Sequence, residues 1–423
     1  MYKRHLPVSF LLILSIIYTP ISAQDLARVQ PETVGMSSKR LERLTQHFQN
    51  YIDNDKLPGA VILIARKGKI AYLKAFGQRD REANAPMQEN TIVRLASQSK
   101  AIISVGVMML QEQGKLLIAE PVGKYIPEFN ETTVAQPKEG GGYDIVPAKR
   151  KITIRDLLTH TSGVSYGNGP ANDLWKEANI TGWYFAHRDE PIGDTVARMA
   201  KLPFNSQPGE RWVYGYSTDI LGALIERVSG QPLDKFLQEN IFDPLNMKDT
   251  HFFLPPKKKD RFAVVYSATD SSGLKRAPEK NGASGQGDYI EGPRKNFSGG
   301  AGLLSTAQDY ATFLQMLLNG GTFNNKQLLS RKTIELMTTN HIDTLAFRPG
   351  QRFGLGFFVV EDVGARGIPG SVGEYGWGSA YHNIYWVDPK EQLVVSYCTQ
   401  LRPTRGLDDH AKLRALIYQA ITD

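Results

Sequence analysis

Two serines precede a lysine in LASQSKAIISVGVMMLQEQGK, residues 95–115, and a serine hydroxyl held by an amine is the starting material of nucleophilic acyl transfer. Spacing chooses between the serines. On a helix, side chains three or four positions apart meet, whereas neighbours diverge by about 100°. Ser97 stands three before Lys100 and Ser99 stands next to it, so Ser97 is the candidate nucleophile and Lys100 its partner. Ile103, Val107 and Leu110, flanked by Ile102 and Met109, form an apolar stripe whose burial fixes the serine at the first helical turn. There the helix dipole and a free backbone N–H favour a developing oxyanion.

A bare SxxK is a common pattern, and a serine that merely caps a core helix fits it too. Ser272-Gly273-Leu274-Lys275 has the same spacing in a polar loop running to Pro278 and is discounted. Gly163-Val164-Ser165-Tyr166-Gly167 matches the GxSxG nucleophile elbow, which needs a strand before it and a helix after it. A helix end precedes it and NGPAND follows, so Ser165 is set aside.

The elements that must position Ser97 can be read coarsely. Residues 38–53 place Leu41, Leu44, Phe48 and Ile52 at helical intervals. PGAVILIARKGKIAYLKAFG (58–77) is a β-hairpin turning at Lys67-Gly68. LLTHTSG (157–163) reads as a helix end closed by Gly163, and STDILGALIERVSG (217–230) as a helix opened by Ser217 and Asp219 and closed at Gly230. Long glycine-, proline- and aromatic-rich stretches between these helices are assigned to a cleft. FGLGFFVVE (353–361) is strand-like, NIYWVDPKEQLVVSYCTQ (383–400) holds two strands around Asp388-Pro389, and AKLRALIYQAI is a terminal helix.

Strands at both ends with a helical block between them predict an α+β fold, one antiparallel sheet flanked by helices with an inserted lobe. The expected division is 24–95 and 300–423 for the sheet domain, and 96–299 for the inserted, mainly helical domain.

Composition narrows the chemistry further. The leader MYKRHLPVSFLLILSIIYTPISAQ has a basic start, an apolar run from Phe10 to Ile17 and small residues at Ser22 and Ala23, the pattern of a cleaved signal peptide over 1–23 and hence of a periplasmic or secreted protein. No later run is long enough to span a bilayer, so no stable membrane insertion is expected. The formal charge is +7, of which Lys3 and Arg4 supply two, too mild a balance to argue for nucleic acid. The single cysteine, Cys398, excludes an internal disulfide or a CxxC site and reads as a buried strand thiol. The eight histidines show neither HxxxH nor HExxH spacing and no Walker loop is present, so no metal and no cofactor is expected.

Taken in order, LASQSK, LLTHTSG, PGERWVYGYSTDILGALIERVSG, GGAGLLSTAQDYATFLQMLLNGG and GEYGWGSAYHNIYWVDPKEQLVV resemble the serine hydrolases related to class C β-lactamases, most of all the family VIII carboxylesterases. The resemblance runs from about residue 30 to the C-terminus and implies a β-lactamase/transpeptidase-like fold. It implies Ser97 as the acylated nucleophile, Lys100 as its partner and Tyr214, six residues after Pro208, as the proton-relaying tyrosine. It further implies an oxyanion hole from the backbone N–H groups of Ser97 and of Ala380, or of Ser379, with Trp377-Gly378-Ser379 on a sheet-edge strand in the place of the lactamase KTG. His160 belongs to the THTSG turn and reads as structural.

Three residues depart from the family pattern: Tyr216 where Asn or an aliphatic residue is usual, Trp377 where KTG has its lysine, and Ser379 with His382 where the esterases tend to have glycines. Losing the KTG cation weakens recognition of an amide beside a carboxylate and leaves attack on an ester untouched. The expected activity is therefore carboxylester hydrolysis of a small-molecule ester. Tyr216, Trp377, Gly378, His382 and Tyr166 are the substrate-pocket candidates, and the loop aromatics Trp175, Trp183, Tyr184, Phe185 and Tyr289 are further possible lining. Two other readings remain: a β-lactamase or D-alanyl peptidase using the same machinery, and a non-catalytic binding protein of the same fold. The intact Ser97, Lys100 and Tyr214 set argues against the last. The sequence leaves the acyl group, the alcohol group and the oligomeric state open.

Overall fold

The computed structural model describes residues 26–270, 273–280 and 282–423, so the leader lies outside the described residues, as does Ser272. The main sheet has eight strands: β1 (Gly59–Arg66), β2 (Lys69–Asp80), β3 (Ala85–Pro86), β4 (Gln351–Phe353), β5 (Phe358–Val360), β6 (Tyr375–Gly378), β7 (Ile384–Asp388) and β8 (Leu393–Thr399). Their order is β4-β5-β6-β7-β8-β1-β2-β3, antiparallel throughout, so the first and last strands of the chain meet in the middle, with Val61 opposite Cys398. The β1–β2 turn is tight because Lys67 and Gly68 both take positive φ (51° and 74°), the pattern of a type I′ hairpin.

Every residue of β1 and β8 is buried, and the two-residue alternation of a strand sorts them between two hydrophobic layers. Ile62, Ile64, Val395 and Tyr397 face the layer that holds Leu44 and Phe48 of α1 (Ser38–Asp53) and Leu413 and Ile417 of the terminal helix. Val61, Leu63, Val394 and Cys398 face the larger core, which holds α2 (Ser99–Glu112). Cys398 is buried there and burial pushes its thiol up to about 12, an inert core group. Along the chain follow α3 (Ile154–Leu158), α4 (Ser217–Ser229), α5 (Ala307–Leu318) and α6 (Asp409–Tyr418). The α5 helix packs on β8 and β1, and α2 packs on α4.

The α2 helix explains how a serine can be held rigidly. Every residue from Ser99 to Leu110 is buried, so it is a central core helix and not a surface one.

Four sequence expectations need correction. The run 353–361 is not one strand but the turn of the β4–β5 hairpin and its flanks, because Gly356 takes φ +105°. Trp377-Gly378 do not lie on an edge strand: the same hairpin adds two strands outside β6, although β5 pairs only as far as Gly376. Gly163 does not close a helix; α3 ends at Leu158 with Thr159 as its cap, and Gly163 follows in a separate turn. The central block also carries two hairpins, Thr133–Pro137 with Tyr143–Pro147 and Tyr266–Ala268 with Leu274–Arg276, so Lys275 sits on a strand and not in a loop.

Candidate active site

Ser97 lies in a 3-10 turn, Ala96–Gln98, that runs directly into α2. Ala96 has φ +42°, a left-handed conformation that a non-glycine residue adopts only where the surroundings hold it. The turn is pinned from several sides: the Tyr310 hydroxyl donates to Gln98 O (2.9 Å), and Leu303 N–H donates to the Ser99 hydroxyl (3.1 Å). Ser99 is thus committed to a structural bond, while Ser97 is half-buried and reachable.

Lys100 is buried and donates in three directions: to Gly300 O (2.7 Å), to the Tyr166 hydroxyl (3.0 Å) and, more weakly, to Ser97 Oγ (3.5 Å). Its ammonium also lies 4.8 Å from the centroid of the Tyr214 ring. Gly300 is held in place by Asp219 of α4, whose carboxylate accepts Gly300 N–H (3.0 Å) and the Ser298 hydroxyl (2.6 Å). Burial pushes the Asp219 carboxyl up, opposed chiefly by Lys100. Asp219 therefore holds the loop of Ser298 and Gly300; the N-terminus of α4 follows Tyr216 with no side-chain cap.

Tyr214 sits in an aromatic box. Trp212 stacks on it at 5.5 Å, Trp377 tilts against it at 5.5 Å, and the His160 ring lies 4.9 Å away. The Trp377 indole N–H donates to the Tyr214 hydroxyl oxygen at 3.0 Å. A tryptophan thus supplies an N–H donor to the phenolic oxygen at the position where KTG carries a lysine. His160 is buried, and burial, with Lys100 nearby, holds its imidazole well below the usual range, which keeps it a neutral packing group.

Tyr166 reaches the same centre from another loop. It packs edge-on against Tyr214 (5.6 Å) and Tyr216 (5.1 Å), and burial followed by Tyr214 pushes its phenol well above the usual range. The two tyrosines meet because Gly215 lets the segments 164–166 and 214–216 run against each other; a Cβ there would stand 2.3 Å from Val164 O. Ser165 of the discarded elbow donates to Asn168 O at 2.7 Å and stays out of the site.

The other side of the Ser97 turn is built by β6 and the turn after it. The β6 strand packs against the Ser97 turn. Asn383, fully buried, donates to Arg94 O (2.8 Å) and to the Ser379 hydroxyl (3.3 Å) and accepts from Thr399 N–H (2.9 Å). One side chain so ties the Ser379–Ala380 turn to the strand leading into Ser97 and to β8. Gly378 has open space on its side-chain face, since a Cβ there meets nothing nearer than Asn383 O at 3.8 Å.

Two pocket candidates lie elsewhere. Tyr216 is buried, stacked on Trp175 (5.6 Å) and Phe185 (5.5 Å), with its hydroxyl donating to Gly182 O at 2.6 Å. It is a core post beneath Tyr166, placed there by the buried backbone ahead of α4. His382, with φ +69°, turns away from the cleft to α6, where its Nε2 meets Asp409 Oδ1 at 2.7 Å and its ring stacks on His410 at 3.9 Å. Those three side chains have metal-ligand chemistry and lie close together. Their geometry does not suit an ion: the rings are nearly parallel (11°), so their in-plane lone pairs do not converge, and the His382 nitrogen already serves Asp409. Of the loop aromatics, Trp175, Tyr184, Phe185 and Tyr289 are buried in the core, and Trp183 remains half-buried beside Ala380 in the small cluster around Ala96 and Tyr381.

The sequence model of the beta-lactamase family matches residues 44–419. The chain belongs to the beta-lactamase family. This family member is 30% identical over 387 residues to the esterase EstB of Burkholderia gladioli, covering 88% of this chain and 94% of the esterase. It is 26% identical over 390 residues to a putative D-alanyl-D-alanine carboxypeptidase of Escherichia coli K12, covering 88% and 84%. Among solved structures it is similar to EstCE1, described as a hydrolase with promiscuous acyltransferase activity, with a TM-score of 0.75, 26% identity, and coverage of 92% of this chain and 99% of the other. The protein is a serine hydrolase of the beta-lactamase-related family, built on the beta-lactamase/transpeptidase-like fold.

Proposed function

We propose that the protein hydrolyses carboxylic esters through an acyl-enzyme on Ser97. The observation that carries this reading is the convergence on Lys100: one buried amine, 3.5 Å from Ser97 Oγ, bonded to Tyr166 and lying beneath the Tyr214 ring. Ser97 Oγ attacks the acyl carbonyl while Tyr214, with Lys100, takes up the hydroxyl proton and returns it to the leaving alkoxide. The Trp377 N–H on the Tyr214 oxygen stabilises the phenolate that this exchange requires. Tyr166 holds the amine in place as a neutral phenol. The N–H groups of Ser97 and of Ala380 or Ser379 receive the negative oxygen of the tetrahedral intermediate. Water then attacks the acyl-enzyme by the reverse relay, and another alcohol in its place would give transesterification.

The ester preference rests on Trp377 replacing the KTG lysine and on the similarity to EstB. The leader sequence supports export to the periplasm or beyond. The test is labelling of the leader-free protein with a fluorophosphonate, intact-mass measurement and mapping of the adduct, with p-nitrophenyl butyrate turnover in parallel. One adduct on Ser97, with turnover lost in Ser97→Ala and kept in Ser165→Ala, is the expected result. The absence of both adduct and turnover would make the binding-protein reading the leading one.

A second reading, hydrolysis of a β-lactam or a D-amino-acid amide, draws on the similarity to the carboxypeptidase. Rapid nitrocefin turnover exceeding that of simple esters would favour it.

A further inference from the structure

Beside the nucleophile lies a buried arginine with no acid. Arg94, three residues before Ser97, is 2% exposed, and its guanidinium donates to Gln286 O (2.7 and 3.0 Å), Ala263 O (2.6 Å) and Gln400 Oε1 (3.2 Å), all neutral acceptors. The rest of its shell is aromatic: the guanidinium carbon stands 4.0 Å from the centroid of Phe262, 5.7 Å from that of Tyr289 and 6.0 Å from that of Tyr381. The other buried arginines are paired, Arg66 with Glu391 and Asp423, and Arg414 with Glu374. Arg94 makes no such pair among the described residues, and the acid that acts on it, Glu279, is bonded to Arg276.

Burial works against this charge, opposed by the phenols of Tyr381, Tyr289 and Tyr184. A guanidinium nevertheless keeps its proton in a protein. A lone charge in the interior is costly to hold, and packing does not call for one, since neutral amides satisfy carbonyl oxygens as well. The position of Arg94 shows what the charge is near. Its own carbonyl accepts from Asn383, whose amide also reaches the Ser379 hydroxyl, and its guanidinium faces the ring of Tyr381, the residue after Ala380. Ala96, Ala301 and Tyr381 form one buried cluster with Ala380 packed against it. In such a low-dielectric surround a charge acts over a longer range than in water.

We propose that Arg94 is a positioning residue whose charge the reaction uses: it is the buried counter-charge of the oxyanion that forms when Ser97 attacks, and it favours that state without touching the substrate. This role rests on the Ser97 reading and on oxyanion donors at Ser97 and at Ala380 or Ser379. In the resting enzyme the guanidinium is uncompensated. The tetrahedral intermediate carries one negative charge on the former carbonyl oxygen and so supplies the missing partner, which makes the attraction stronger in the transition state than in the ground state.

The alternative role for Arg94 is a clasp that only ties the segments at 263, 286 and 400 together, and Gln400 separates the two. Gln400→Glu places a carboxylate on the atom that already accepts the Arg94 backbone N–H (3.1 Å) and guanidinium, so the arginine stays and its charge is cancelled. Gln400→Leu removes the same amide and adds no charge. A clasp gains from the new ion pair, whereas a counter-charge to the oxyanion loses by it. The expected result is a kcat/KM for p-nitrophenyl butyrate about tenfold lower in Gln400→Glu than in Gln400→Leu, a smaller loss than the about 10²–10³-fold of a donor that touches the oxyanion. The second readout is the Ser97 hemiketal of 1,1,1-trifluoropentan-2-one, followed by fluorine NMR across pH. Its oxygen should ionise about one pH unit higher in Gln400→Glu and Arg94→Gln than in the wild type, while Arg94→Lys, which keeps the charge and loses the clasp, stays nearer the wild type. Gln400→Glu at least as active as Gln400→Leu overturns the proposal, as does a hemiketal that titrates alike in Arg94→Lys and Arg94→Gln. The Gln400 pair decides alone if the Arg94 variants do not fold. A wild type that forms neither hemiketal nor fluorophosphonate adduct at Ser97 sinks the underlying reading and the role of Arg94 with it; an adduct that forms but titrates alike in wild type and Gln400→Glu rejects Arg94 alone.

Discussion

The lysine has two phenols near it, and they differ in their surroundings. Both are half-buried, but Tyr166 accepts from Lys100 and its phenol is pushed well above the usual range, whereas Tyr214 accepts the Trp377 N–H. Tyr214→Phe is therefore expected to lower kcat by about 10²–10⁴-fold, the range for a lost general acid–base group, with little change in KM. Tyr166→Phe removes a bond to the lysine and not the proton carrier, so it should lower kcat less and shift the pH–rate profile; steady-state kinetics across pH with p-nitrophenyl butyrate separates the two. Tyr216→Phe leaves Gly182 O without its 2.6 Å donor and should cost about 1–3 kcal/mol of stability, read by denaturant melts, while the esterase rate holds. Ser97 over Ser99 was legible from spacing alone, and Tyr214 from the segment around it. Tyr166 as a lysine ligand was not, because 66 residues separate it from Lys100 and only folding joins them.

Among the elements, two junctions set the site. The first is the crossing of 164–166 with 214–216 at Gly215. Gly215→Ala forces a Cβ against Val164 O and should part the two tyrosines, with a stability loss of about 1–3 kcal/mol and a fall in kcat larger than that loss explains; melting temperature and kcat measured together check it. The second is Asn383, which joins the Ser379–Ala380 turn, the strand before Ser97 and β8. Asn383→Ala should leave buried Arg94 O and Thr399 N–H underbonded, lower the melting temperature and reduce kcat by loosening the oxyanion donors, while fluorophosphonate still labels Ser97, only more slowly. Helix and strand existence followed from periodicity at 38–53 and 58–77 because local pattern and tertiary burial agree there. The run 353–361 misled because a continuous apolar stretch looks alike whether it is one strand or a tight hairpin, and only the positive φ of Gly356 distinguishes them.

At the level of the whole molecule, buried titratable groups predict acid sensitivity. Burial pulls His251 and His410 down to about 4, with Lys258 and His382 adding to the effect in turn. An unfolded histidine titrates near 6.5, so between 6.5 and 4 the unfolded chain binds more protons and stability falls as pH falls. Asp309 opposes this: burial raises it to about 6, so the folded state takes up its proton first and gains stability as pH falls from about 6 towards 3.8. Two histidines outweigh one aspartate, and the melting temperature should drop between pH 6.5 and 4. Asp309→Asn removes the opposing contribution and should steepen that drop, which thermal melts across the range would detect.

The sequence by itself singled out Ser97, Lys100 and Tyr214 as candidates and determined the family and a sheet drawn from both chain ends, because each is written in short-range spacing or in motifs kept in order. Tertiary structure alone decided which side chains share one cleft. Tyr216 and His382, two residues past Tyr214 and five past Trp377, turned into the core and towards α6, while Tyr166 came in from a distant loop. The physical reason is that side-chain direction in irregular backbone depends on single φ values and on what must be buried beneath it, and neither is encoded in local pattern.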